Sequence, residues 1–142
     1  MYESILFATD RSEHADRVEE HAFDIAATRD ATLHVLSVVD DRAFLVLDDD
    51  RVEEVRQELE EEALTAIDDA VTNAQEQGIE ATGDVDIGHP AECIVDYVEN
   101  NDIDLVVMGT SGDSYERNVV GSVSQRVVET APVPVLTVVL DA

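Results

Sequence analysis

The segment LVVMGTSGDSYERNVVGS, Leu105–Ser122, holds a strand, a loop and the start of a helix in one short run. Leu105 to Met108 is purely apolar, as expected of a strand buried on both faces. Glycines follow at Gly109, Gly112 and Gly121, with hydroxyl residues between them and a single basic residue, Arg117. Glycine lets the backbone approach a ligand closely and adopt positive φ. The N–H groups of Gly121, Ser122 and Val123 would open a helix, where an anion is stabilised. Ser122 and Ser124 add hydroxyl donors. The loop carries neither the GK[ST] of a Walker A motif nor a GxGxxG fingerprint. From the residues alone, a phosphate cradle and a tight strand-to-helix connection account for it equally well.

The same alternation extends outward along the chain. Ser4–Ala8, SILFA, predicts a first strand, and the TDRSEHA that follows has turn and cap chemistry. Ala15–Arg29 has an apolar stripe at Val18, Ala22, Ile25 and Ala26, the spacing of a helix. Thr32–Val39, TLHVLSVV, predicts a second buried strand. Asp40–Arg51 is a polar connection holding one apolar patch, Ala43–Leu47, which is expected to dock on the parent domain. An exposed patch there would mark a partner site. Val52–Gln77 predicts a long helix with Val55, Leu59, Ala63, Ile67, Ala70, Val71 and Ala74 on one side, ended by Gly78. Glu80–Ile87 predicts an edge strand. Pro90 suits a helix first turn, and Ala91–Asn100 presents Ile94, Val95 and Val98. Ile103–Met108 is the fourth strand. Ser122–Thr130 predicts a helix with Val123, Val127 and Val128 inward, and Val133–Leu140 the last strand.

This order, β-α-β-α-β-α-β-α-β, predicts a single α/β domain over residues 1–142. A five-stranded parallel sheet lies between helical layers, an open three-layer α/β/α sandwich of Rossmann-like type. Ligands on such sheets bind at the carboxyl ends of the strands, near the switch in strand order. The segments expected there are Thr9–Ser12, Val38–Asp41, Gly88–Pro90 and the loop from Gly109.

Composition narrows the function. The chain has 142 residues, 34 Asp plus Glu against 8 basic residues, all arginine, and a net charge of -26. Such acidity with a regular apolar pattern predicts a protein suited to molar salt, where the Debye length is about 3 Å and carboxylate repulsion is screened. It disfavours nucleic acid and anionic lipid as partners. The single cysteine, Cys93, excludes an intrachain disulfide and points to a reducing cytoplasm. It is expected to be a small buried residue rather than a reactive thiol. No apolar run approaches the ~20 residues of a membrane span. His14, His21, His34 and His89 have no zinc-site spacing. His21 and His34 are expected to be structural, and His89 falls at a ligand-facing turn. Ser111 and Asp113 have no histidine placed by sequence to complete a triad.

The chain resembles the universal stress protein family over essentially its whole length. The matching segments are ILFATDRSEHA, LHVLSVVD, GHPAECIV and LVVMGTSGDSYERNVVGSVSQRVVETAPVPVLTV. The likeness is to the UspA-like, ATP-binding subgroup, in a haloarchaeal-type sequence, whose members carry G-x2-G-x9-G-[ST]. Here Gly109-x2-Gly112 is followed by eight residues before Gly121-Ser122, one fewer than the pattern.

The resemblance implies an adenine nucleotide alpha hydrolase-like fold. It also implies a homodimer paired through the last strand and acting in stress response. The expected ligand is ATP, with AMP or ADP as alternatives. Asp10, with Ala8 and Thr9 beside it, would lie near the ribose. Val38 or Val39 would contact adenine through the backbone. Met108, Gly109 and Ser111 would line the nucleotide, and Gly112 would approach the phosphates. Gly121, Ser122, Val123 and Ser124 would hold phosphate oxygens. Asp113 and Glu116 inside the loop oppose a triphosphate, so a divalent Mg or Mn ion is expected to bridge carboxylate and phosphate oxygens. Two other readings remain: a dimeric interaction module without nucleotide, engaging an unknown protein partner, and an ATPase or nucleotidyl transferase. No catalytic residue is identified, and any hydrolysis is expected to be slow.

Overall fold

The structure is a computed structural model that describes residues 1–9, 15–110 and 122–139. Five strands alternate with four helices: β1 (Ser4–Thr9), α1 (Ala15–Arg29), β2 (Thr32–Asp40), α2 (Asp49–Glu76), β3 (Ala81–Gly88), α3 (Pro90–Asn100), β4 (Leu105–Gly109), α4 (Ser122–Thr130) and β5 (Val135–Val138). A single turn of 3-10 helix, Asp41–Phe44, joins β2 to the approach of α2. All strand pairs are parallel, in the order β3-β2-β1-β4-β5. The direction of the winding therefore reverses between β1 and β4. This is the five-stranded parallel α/β architecture expected from the alternation of elements.

Side-chain alternation along the strands divides the core in two. Ile5, Phe7, Leu33, Val35, Leu105 and Val107 face α1 and α2, where they meet Val18, Ala22, Phe23, Ile67 and Ala70. Leu6, Leu36, Val106 and Met108 face α3 and α4, where they meet Ile94, Val98 and Val127. The inner strands are apolar on both faces because helices cover both. β3 lies at the edge as expected and is exposed at Thr82, Gly83, Asp84 and Asp86.

Small residues set the spacing of the layers. A Cβ on Gly83 would stand 2.2 Å from Ile67 Cγ2, so glycine lets α2 settle on β3. Gly78 ends α2 at φ 80°, a conformation glycine adopts at no steric cost. At the other end of the sheet, Asp104 Oδ2 accepts from the backbone N–H groups of Glu3 and Ser4 at 2.9 and 3.0 Å, and so fixes where β1 begins beside β4.

Three expectations need correction. Leu45 and Val46 are 79% and 90% exposed, so the apolar patch after β2 does not dock as a whole; only Phe44 and Leu47 are half-buried. The short 3-10 turn points the middle of the patch outward. Val128 is 53% exposed, and Ser124 instead takes a buried position on α4, one turn from Val127. Helix α2 begins at Asp49, before Val52, because Asp49 and Asp50 supply acidic residues to its first turn.

Candidate functional site

The strands end at different heights. The β1–β2 ladder closes with Thr9 opposite Ser37. Beyond that level β2 continues through Val38, Val39 and Asp40, paired only with Asp86, Ile87 and Gly88 of β3 among the described residues. On the other side Ala8 pairs with Met108, so β4 ends in Gly109 at the level of Thr9. At about 3.3 Å per residue, β2 and β3 stand about 10 Å above the ends of β1 and β4. The lower side of the step, the ends of β1 and β4, is the switch in strand order, where ligands bind on open parallel sheets.

The step exposes backbone rather than side chains. Val38 packs its side chain against the α3–α4 core, and Val39 is 2% exposed. Their peptide groups above Thr9 have no described strand beside them on the β1 side. These peptide groups present a hydrogen-bonding edge toward the step.

The opposite side of the step is built by β4 and α4. Met108 is buried in the α3–α4 core, with Ala8 beside it in register. Thr110 is buried, and its N–H donates to the Val138 carbonyl at 3.1 Å. The Ser124 hydroxyl donates to the Thr110 carbonyl at 2.6 Å. That bond holds the first turn of α4 against the end of β4. Ser124 is 1% exposed, so its side chain joins two elements, and exposed Ser122 is the hydroxyl that α4 presents at its start. Val123 is half-buried against the α3–α4 core.

Thr9, Val38, Val39, Met108, Gly109, Ser122, Val123 and Ser124 thus gather at one end of the sheet. Asp10, Ser111, Gly112 and Gly121 lie outside the described residues, as do Asp113, Glu116 and Arg117.

Charge around the step is mainly negative. Asp40 caps the 3-10 turn by accepting from the Arg42 N–H at 3.0 Å, and its carboxylate also accepts from Arg42 Nε at 3.0 Å. The hydrogen bonds from Arg42 hold the Asp40 carboxyl below its usual range. Arg42 is therefore engaged where β2 ends. His89 caps α3, its carbonyl accepts from Cys93 N–H at 2.9 Å, and its side chain makes no capping bond. Cys93 is half-buried rather than fully buried; burial, then the Asp86 carboxylate, pushes its thiol up to about 11. His34 lies in β2, half-buried, its Nδ1 3.0 Å from the Tyr97 hydroxyl.

A groove of about 660 Å³ also runs between α1 and the end of α2, with carboxylates Asp16, Glu19, Glu20, Asp24 and Glu76 on its walls. It has no basic lining residue and is hostile to phosphate. No cluster of three or more His, Cys, Asp or Glu side chains among the described residues could hold a metal ion.

Two features escaped the sequence reading. Thr110 is the buried link between β4, β5 and α4, and Ser37 is a buried hydroxyl beside the end of β1. A hydroxyl within the otherwise apolar VLSVV was the available sign of the second.

An open parallel sheet with a step beside its switch point and a glycine-ended β4 is a Rossmann-like α/β domain. The universal stress protein family model matches residues 1–139. The chain belongs to that family. It is 36% identical over 140 residues to a universal stress protein of Methanocaldococcus jannaschii, covering 97% of this chain and 82% of that protein. Its structure superposes with a TM-score of 0.90 on hypothetical protein MJ0577, at 26% identity, covering 100% of this chain and 99% of the other. The universal stress protein from Archaeoglobus fulgidus in complex with dAMP shares the fold at a TM-score of 0.65 and 24% identity, covering 96% and 97% of the two chains. No helix among the described residues is long and apolar enough to cross a membrane.

Proposed function

We propose that this chain binds an adenine nucleotide, ATP by default with AMP or ADP as alternatives, at the step between β2 and β4. It does so as a homodimer in stress response. The observation that carries the proposal is the register: β2 stands above β1 beside the switch point and offers its backbone where a base would lie. The glycine-ended β4 and the first turn of α4 occupy the side where phosphates would lie. The dAMP complex of the Archaeoglobus fulgidus relative supports the ligand class by fold-level analogy. A Mg or Mn ion would offset the repulsion between phosphates and the loop acids.

The dimer reading rests on β5. It is an edge strand, Val133–Leu140 carries no charge, and Leu136 and Val139 are 37% and 59% exposed. An uncharged edge in so acidic a chain is suited to pairing with a second copy. Hydrolysis would be slow, because Arg42, in the 3-10 turn after β2, is paired with Asp40 and no cationic clamp is evident among the described residues. The acidic surface suits a cytoplasm of molar salt.

Calorimetric titration with ATP in molar KCl, with and without Mg, tests the proposal. Saturable binding that is abolished by Gly121→Asp is expected. Absence of binding by the wild type would favour the nucleotide-free interaction module, to which the glycine loop, one residue short, already lends weight. Phosphate release at enzymatic turnover rates would favour the ATPase reading.

A further inference from the structure

We infer that the Ser37 hydroxyl is a nucleotide-contacting group at the floor of the step, left without a partner until ligand arrives. The inference rests on the proposed nucleotide reading and goes beyond it by assigning a ligand contact to a side chain of β2.

Ser37 is 1% exposed, and its Oγ has no hydrogen-bond partner among the described residues. Buried hydroxyls in folded proteins are nearly always paired, since an unmade bond costs the full desolvation of the group. An orphan in the middle of a well-packed sheet therefore calls for a reason. Its position supplies one. Ser37 is opposite Thr9, where β1 ends. The alternation that turns Leu33, Val35, Ile5, Phe7, Leu105 and Val107 toward α1 and α2 turns Ser37, Thr9 and Gly109 to that same face.

These three form one row across β2, β1 and β4. The row beneath, Val35, Phe7 and Val107, is wholly apolar. The row at the step carries two hydroxyls and a residue with no side chain. A change from hydrocarbon to hydroxyl at the height where two strands stop is what a polar ligand's floor requires. Gly109 marks the phosphate side of the row and Ser37 the opposite end. The part of the ligand nearest Ser37 is then the nucleoside, its ribose hydroxyls or base edge.

Retaining an unpaired hydroxyl lowers the stability of the unliganded fold. The inference thus predicts that stability and affinity move in opposite directions when it is removed, as they do where function requires a locally unfavourable group. Ser37→Ala, in molar KCl, should melt a few degrees higher than wild type without nucleotide. It should bind ATP and AMP about tenfold more weakly, the loss of one hydrogen bond. An equal loss for the two nucleotides places the contact at the part they share. Ser37→Thr, which keeps a hydroxyl, should bind more tightly than Ser37→Ala.

Wild-type affinity in Ser37→Ala would overturn the inference, whatever its melting temperature, and a structural water would then be the hydroxyl's partner. Failure of the wild type to bind either nucleotide would overturn the functional reading itself, and this inference with it. The two failures are told apart by the wild-type titration.

Discussion

His34 Nδ1 lies 3.0 Å from the Tyr97 hydroxyl, and that hydroxyl donates to Asp84 Oδ2 at 3.1 Å. One tyrosine on α3 thereby ties β2 to β3 across the edge of the sheet. Burial, then the Asp84 charge, pushes the phenol up to about 12, so it remains a donor at any physiological pH. Tyr97→Phe removes both bonds and should cost about 1–2 kcal/mol, measured by chemical denaturation in molar KCl. An unchanged denaturation midpoint would show that the link contributes nothing.

The same cluster has a pH signature. Burial holds His34 below its ordinary value of 6.5, against an opposing pull from Asp84. The unfolded chain then binds the proton more readily than the folded one. The His34 contribution is complete above pH 6.5 and is lost as pH falls from there toward the folded value. Many carboxylates titrate at lower pH, and Glu19, raised by burial from 4.5, acts in the opposite sense there. The readout is therefore the wild type compared with His34→Gln. Between about pH 7.5 and 5.5 the wild type should lose stability relative to the variant. Parallel pH profiles would contradict this.

Helix α2 approaches β3 only because position 83 has no side chain. A Cβ there would meet Ile67 Cγ2 at 2.2 Å, well inside contact distance. Gly83→Ala should destabilise by about 1–3 kcal/mol, the usual cost of overpacking. Combining it with Ile67→Ala should cost less than the sum of the two single changes. Simple additivity in the double-mutant cycle would mean that the helix moves aside freely.

Cys93 should be a poor nucleophile. Its thiol, pushed up to about 11 from a model-compound value of 9.0, carries roughly a hundredfold less thiolate than an ordinary cysteine at neutral pH. Alkylation by iodoacetamide near pH 8 should therefore be much slower in the folded protein than after unfolding. Equal rates would refute the assigned environment.

Much of this architecture was legible in the residues. The periodicity of Ala15–Arg29 and the aliphatic runs of β2 and β4 announce their elements because inner strands and amphipathic helices bury regular patterns. Leu45 and Val46 were misread because an apolar run does not reveal which way a short 3-10 turn will aim it. Val128 was misread because α4 buries a polar residue, Ser124, to reach the Thr110 carbonyl, a partner that only the fold brings near. The step itself is a matter of register. Where β1 stops beside β2 depends on strand pairing, and composition along one strand carries no record of it.

The central claim is that the step holds an adenine nucleotide. Its most direct test is to purify the protein in molar KCl, denature it, and identify what is released by anion-exchange chromatography with mass detection. The account predicts an adenine nucleotide near one per chain, or stoichiometric uptake of added Mg-ATP by protein that emerges empty. Protein that releases none and takes up none would contradict it, and would make the glycines of the β4–α4 loop a structural connection only.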